Sequence, residues 1–364
     1  MTTAPKPNLR FGAAPVLVTG GCGFIGSNLA NALAARGERV IVLDAMTRAG
    51  AQENACWLES QWRDRVDLVT ADIRDEAVVS SLLADCRAIL HLAGQVAVTT
   101  SVTDPLADFS VNAAGTLNLL EWLRRRNPSA PLIFASTNKV YGKVTREGEL
   151  VPRGPRYEPI AAARAQGIGE DAPLDLYSPY GSSKGAADQY VHDYARVFGL
   201  RTVVLRMSCI YGPRQFGTED QGWLAHFMIK ALRDEPITIY GDGYQVRDAL
   251  FVDDAVHAWL AALDGIDSVK GRIFNLGGGP HNALSLLEAV DQIGHLHRKR
   301  LDLEFASWRP GDQPWYVSDI RTISAALGWA PQVRLNQGLR RLHSWLSDRF
   351  AAPQNLPQLE GVAV

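Results

Sequence analysis

At 364 residues and 46% hydrophobic content, the chain is long enough to bury one large core or two coupled ones. A formal net charge of −2, with 21% charged residues, gives no electrostatic reason to expect nucleic acid or an anionic membrane as a partner. No apolar run approaches the roughly 20 residues of a membrane span. Met1–Ala14 carries Lys6 and Arg10 but lacks the apolar core of a signal peptide. Cys22, Cys56, Cys86 and Cys209 have neither metal nor disulfide spacing. The expectation is a soluble cytoplasmic protein with reduced thiols and no metal.

Pro15–Gly20 is a short apolar run entering a glycine cluster, and a helical pattern follows over Phe24–Ala35. Arg39–Asp44 and Val66–Ala71 read as further strands, with a helix at Glu76–Ala84. Ala88–Ala93 and Pro131–Ala135 continue the series, separated by a long helical stretch, Asp108–Arg125. A helix at Tyr180–Gly199 leads into a strand at Arg201–Arg206. Strands alternating with helices predict an α/β fold, a doubly wound parallel sheet with helices on both faces. The strands are almost wholly apolar, as strands covered on both sides must be.

Beyond Arg206, glycine, proline and aromatic residues crowd Tyr211–Asp248. A helix at about Asp253–Leu263 and a strand at Arg272–Leu276 resume the pattern, with helices at Leu284–Ile293, Asp319–Leu327 and Leu335–Arg349. This predicts a smaller, interleaved α/β substrate domain. Residues 14–206 with about 248–276 form the first unit, about 207–247 with 277–349 the second, and 350–364 a flexible tail. Lys143–Leu176, rich in Pro, Gly and Ala, is expected to pack over the site as a loop.

Gly20, Gly23 and Gly26 lie between the first strand and first helix. Gly20 permits a tight turn, Gly23 lets the backbone amides at Phe24 and Ile25 approach a pyrophosphate, and Gly26 lets helix and sheet touch. Asp44 follows Gly26 by 18 residues, at the next strand end. Its carboxylate suits ribose hydroxyls and repels a 2′-phosphate, favouring NAD over NADP. Asp72 and Ile73 border the adenine in this reading, although a plain helix cap accounts equally well for Asp72.

Tyr180 and Lys184 stand at i and i+4, on one face of a helix. A tyrosine near pKa about 10 is a poor base at neutral pH, and a neighbouring ammonium lowers that value. The same spacing also occurs on ordinary exposed helix faces. Thr137, at the end of a predicted strand, offers a hydroxyl to an oxygen alternating between alcohol and ketone; a turn cap is the plainer use of such a residue.

Read together, the glycine turn, His91-Leu92-Ala93-Gly94, Asn112-Ala113-Ala114-Gly115-Thr116, Ser136-Thr137 before Val140-Tyr141-Gly142, Tyr180 with Lys184, Tyr211-Gly212-Pro213-Arg214 and Gln245-Val246-Arg247-Asp248 occur in order. Over roughly residues 15–345 the chain resembles the extended short-chain dehydrogenase/reductase family of nucleotide-sugar enzymes, which are built on a Rossmann sheet. The resemblance implies Thr137, Tyr180 and Lys184 as the catalytic triad, with Asn112 supporting the site. Leu92, Ala93 and Gly94 would run along NAD, with His91 beneath it as packing. Arg247 and Arg309 would grip the diphosphate, a task that suits a bidentate guanidinium. A homodimer through the helices at about 108–125 and 180–199 is also implied.

Within the family, 4,6-dehydratases carry an Asp-Glu pair after the matching Thr, and this chain has Asn138-Lys139. Neither side chain replaces an acid–base carboxyl pair. The string Ser136–Gly142, the stretch Tyr177–Tyr190, and Arg214-Gln215-Phe216 before Asp220-Gln221-Gly222-Trp223 instead resemble the CDP-tyvelose 2-epimerases. That similarity places Asn138, Lys139, Arg214 and Gln215 near the sugar nucleotide. Cys209 departs from the Asn or Ser common in relatives. The implied activity is inversion of a sugar carbon through a transient ketone, with a UDP- or dTDP-hexose 4-epimerase as the alternative, and a dehydratase or sugar dehydrogenase after that.

Overall fold

The chain is described by a computed structural model covering residues 14–146, 148–161 and 164–351. Residues 1–13 and nearly all of the 350–364 tail fall outside the described residues.

The first half builds parallel strands β1 (Val16–Thr19), β2 (Val40–Asp44), β3 (Val66–Thr70), β4 (Ala88–His91) and β5 (Leu132–Thr137). Between them α1 (Phe24–Ala35) buries Leu29, Ala30, Leu33 and Ala34 as one stripe. Next comes α2 (Ala51–Trp62), a helix without a clear apolar period in the sequence. Its Glu, Gln and Asn residues dilute the apolar period, and only Ala51, Asn54, Ala55 and Leu58 turn inward. Asp75 caps α3 (Glu76–Leu83) by accepting the Val78 N–H at 3.2 Å, so Asp72 is not the cap. The expected helix over Asp108–Arg125 begins earlier and is broken. It comprises α4 (Val98–Thr103), α5 (Pro105–Phe109), a π turn at Ser110–Ala114 and α6 (Gly115–Arg126).

No described residue of the Lys143–Leu176 insertion lines the cavity in front of Thr137 and Tyr180, contrary to the expectation of a loop over the site. The insertion contains the hairpin β6 (Leu150–Arg153) and β7 (Arg156–Pro159). The Tyr157 N–H donates to Tyr244 O at 2.9 Å, the Asn275 amide to Ile168 O at 2.8 Å, and Arg156 pairs with Glu288 at 2.5 Å. These backbone and charge partners, invisible to composition, decide where it packs. α7 (Pro179–Phe198) follows, with the Ser178 hydroxyl as N-cap, Pro179 in its first turn and Gly199 at φ 73° closing it.

The remainder forms β8 (Thr202–Met207), β9 (Cys209–Tyr211), α8 (Trp223–Leu232), β10 (Ile237–Tyr240), β11 (Val246–Phe251), α9 (Val252–Asp264), α10 (Ile266–Val269) and β12 (Arg272–Leu276). Then come β13 (Ala283–Ser285), α11 (Leu286–His297), β14 (Leu303–Ala306), β15 (Trp315–Tyr316), α12 (Arg321–Leu327) and α13 (Leu335–Ala351). A large parallel sheet of seven strands has the order β12-β8-β5-β4-β1-β2-β3. The order in which strands are added reverses between β1 and β4, which opens a crevice at their carboxyl ends. β9, β11, β13 and β15 make a second sheet, and β10 pairs with β14. Val16, Val18 and Val42 share one continuous core with Phe251, Trp259, Leu339 and Leu342, so the first and second halves are packed as one body.

Candidate active site

The glycine turn leaves β1 at Gly20, whose φ is 66°. A Cβ there would lie 2.7 Å from the Ala93 amide at the end of β4, so close approach and positive φ both require glycine. Gly23 is the N-cap of α1 and supplies no side-chain cap, leaving the helix N-terminus at Phe24 and Ile25 open to an anion. Gly26 packs directly on the Gly20 carbonyl. Asp44, at the end of β2, accepts the Cys22 N–H at 2.9 Å and the Met46 N–H at 2.8 Å, which fixes its carboxylate beside the turn. Asp72 is engaged by Arg74 at 2.7 Å, while Ile73 packs beside Gly115. Leu92, Ala93 and Gly94 leave β4 next to the turn, and a Cβ on Gly94 would meet Asn112 Oδ1 at 2.8 Å and Lys184 Nζ at 3.8 Å. A glycine-rich turn, an uncapped helix start and an aligned carboxylate fit NAD.

Thr137 ends β5, and its hydroxyl accepts the Lys139 N–H at 3.2 Å. Tyr180 and Lys184 come from the first turns of α7, and all three side chains are buried. Burial pushes the Tyr180 phenol up to about 12, with the Thr137 hydroxyl pulling the other way. Burial also pushes Lys184 down to about 8, against Asp188 and Asp108. Lys184 Nζ lies 4.2 Å from the centre of the Phe134 ring. The expected lowering of Tyr180 by Lys184 is therefore not found: burial and the Asp108 carboxylate both push the phenol up, and only the Thr137 hydroxyl opposes them.

Asn112 is set by the π turn. Its amide donates to Asp108 and Ser183, both at 3.1 Å, and its oxygen accepts the Gln95 N–H at 2.9 Å. His91 lies 2.7 Å from the Thr19 hydroxyl and 3.0 Å from that of Thr116, and burial lowers it to about 3. It is a neutral packing residue.

A cavity of about 280 Å³ opens in front of Thr137 and Tyr180. Asn138, Lys139, Cys209, Gln215, Arg247 and Arg309 all line it. Cys209 accepts the Trp223 indole N–H at 3.3 Å, and burial pushes its thiol up. Gln215 is buried, and its Oε1 has no hydrogen-bond partner among the described residues. Both arginines are already held by acids. Arg247 pairs with Asp312 at 2.5 Å; Arg309 pairs with Glu219 at 2.6 Å and lies 3.7 Å from the centre of the Tyr240 ring. Lys139 Nζ is 3.9 Å from Asp312.

Arg214 stands apart from these residues. It does not line the cavity; its guanidinium lies 4.0 Å from the centre of the Trp57 ring, on the α2 side. Tyr240 and Glu219 also line the cavity, and no spacing rule in the sequence points to them; Gln245, from the Gln245–Asp248 string, lines it too.

Residues 16–277 match the NAD-dependent epimerase/dehydratase family. The chain belongs to that family. It is 42% identical over 341 residues to a CDP-paratose 2-epimerase from Salmonella typhi, covering 91% of this chain and 99% of that one. It is 31% identical to a putative UDP-glucose 4-epimerase from Methanocaldococcus jannaschii, over 92% of this chain and 98% of the other. Among solved structures, a UDP-glucose 4-epimerase from Thermus thermophilus in complex with NAD superposes with a TM-score of 0.77 at 33% identity, covering 93% and 100% of the two chains. A UDP-glucuronic acid 4-epimerase from Bacillus cereus, in complex with UDP-glucuronic acid and NAD, gives a TM-score of 0.80 at 28% identity over 92% and 99%. This family member is an NAD-dependent nucleotide-sugar epimerase.

Proposed function

We propose that this epimerase inverts C2 of a CDP-linked deoxyhexose, of the CDP-paratose/CDP-tyvelose type. The observation that carries this reading is the 42% identity to a CDP-paratose 2-epimerase across almost that whole protein. Asn138 and Lys139 in the cavity wall support it, since neither can move protons as a dehydratase carboxyl pair does.

Bound NAD supplies a hydride acceptor and, once reduced, the donor to the same carbon. Tyr180 Oη takes the proton of the reacting sugar hydroxyl, and Thr137 Oγ1 holds that oxygen through its ketone state. Lys184 would hold the nicotinamide ribose and, as an ammonium, would favour the Tyr180 phenolate. Gly20, Gly23, Phe24, Ile25 and Gly26 cradle the pyrophosphate. Asp44 takes the adenosine ribose, Asp72 and Ile73 border the adenine, and Leu92, Ala93, Gly94 and Asn112 flank the nicotinamide half. Arg247 and Arg309 exchange their carboxylate partners for the diphosphate, which tethers the nucleotide while the keto sugar turns its other face. Cys209, Gln215, Asn138 and Lys139 line the sugar.

The protein is read as a cytoplasmic homodimer. Free cysteines support the compartment, and the dimer is supported by Leu106, Phe109, Val197 and Phe198, all exposed on α5 and α7.

The test is CDP-paratose deuterated at C2, followed by NMR. The label stays on C2 as the centre inverts, and no NADH accumulates. Inversion at C4, which the 4-epimerase relatives favour, or washout of the label overturns the assignment.

A further inference from the structure

Arg214, displaced from the cavity, belongs to a connection between the two ends of the site. The peptide of Cys22 in the glycine turn is held on both sides: its N–H by Asp44 at 2.9 Å, its carbonyl by the Asn54 amide at 3.0 Å. The same buried Asn54 amide lies 3.4 Å from Arg214 O. Asn28, on α1, donates to Pro213 O at 3.2 Å. The segment around Arg214 is thus hydrogen-bonded to the two helices that frame the cofactor turn.

Three further contacts press it there. Arg214 stacks on Trp57 of α2. Phe216 lies 5.6 Å from Trp345 of α13, centre to centre, and fills the space above Gly50, which has φ 82° and no room for a side chain. Arg214 itself has φ 72°, a costly conformation for a non-glycine residue that persists only where surrounding contacts impose it. Its neighbour Gln215 points the other way, into the sugar cavity, with its amide donating to Ile210 O at 3.1 Å.

We propose that Arg214 is a positioning residue, and that Asn54, Trp57 and Arg214 together transmit occupancy of the cofactor turn to the sugar wall at Gln215. The proposal rests on the NAD reading above but not on the identity of the sugar nucleotide. A ligand that orders the Cys22 peptide orders Asn54, and through it the backbone of Arg214. By linkage, the sugar wall and the cofactor then strengthen each other's binding.

The experiment is hydrogen exchange of the full chain, stripped of NAD and reloaded, in wild type, Trp57→Leu and Arg214→Lys. Lysine keeps the charge but loses the planar stack. In wild type, NAD slows exchange at 20–25 and also, by about fivefold or more, at 213–217. Both variants keep the first protection and lose the second, while CDP affinity without NAD stays within about twofold in Arg214→Lys. Should Trp57→Leu fail to fold, Arg214→Lys decides alone. Persistent protection of 213–217 in the variants, or its absence from wild type, overturns the proposal. So does a tenfold loss of CDP affinity with the protection intact, which marks a direct contact. Absence of protection at 20–25 in wild type sinks the cofactor reading with it.

Discussion

Tyr180 and Lys184 lie four residues apart in a pocket dry enough to disfavour charge on both, with the phenol pushed up to about 12 and the lysine down to about 8. The lysine offers a measurable signature. Folded Lys184 releases its proton near pH 8, whereas its ordinary value is 10.5. Between those values the unfolded chain binds more protons, so unfolding free energy rises with pH across that window. Relative to Lys184→Met, the NAD-free wild type gains stability from pH 8 to 10, on the order of 3 kcal/mol in full. Parallel denaturation curves for the two proteins across that range would contradict the shift. Tyr180→Phe is expected to fold and retain NAD but to lose turnover by roughly 100-fold or more, read by product formation at saturating substrate. Cys209 accepts a hydrogen bond and stays protonated, so Cys209→Ser retains turnover within about threefold, far less than loss of an acid–base group costs.

Two elements hold the triad in register. The π turn at Ser110–Ala114 places Asn112 where it satisfies Asp108, Ser183 and the Gln95 amide together. Asn112→Ala orphans buried groups on both α7 and the strand-end loop, and is expected to cost about 1–3 kcal/mol in chemical denaturation. Along α7, Asp188 stands one turn beyond Lys184 and takes a bidentate pair from Arg206 of β8, both bonds at 2.9 Å, with Ser136 of β5 at 2.6 Å. Asp188→Asn leaves a buried guanidinium uncompensated, with an expected loss of about 3–5 kcal/mol. A melting curve unchanged from wild type would show that the pair does not brace the helix. The glycine turn and the Tyr180–Lys184 face were legible because each is set within one strand-helix junction. The π turn was not, because its irregularity answers to Ser183, 71 residues from Asn112.

For the whole molecule, Leu106 is 82% exposed, with Phe109 and Val197 also largely uncovered on the α5–α7 side. A Leu106→Glu/Phe109→Glu variant is expected to sediment as a monomer where wild type sediments as a dimer; monomeric wild type would end the dimer assignment. Sequence by itself determined the parallel doubly wound sheet, because apolar runs buried on both faces can be read without knowing their neighbours. It likewise determined the glycine turn and the spacing of Tyr180 and Lys184, which are matters of local backbone geometry. Only tertiary structure decided where the insertion docks, that Arg214 stacks on Trp57 instead of entering the cavity, and that Arg247 and Arg309 are held by Asp312 and Glu219. Each of those depends on partners from distant segments, and the free energies of such contacts exist only once the chain has closed around them.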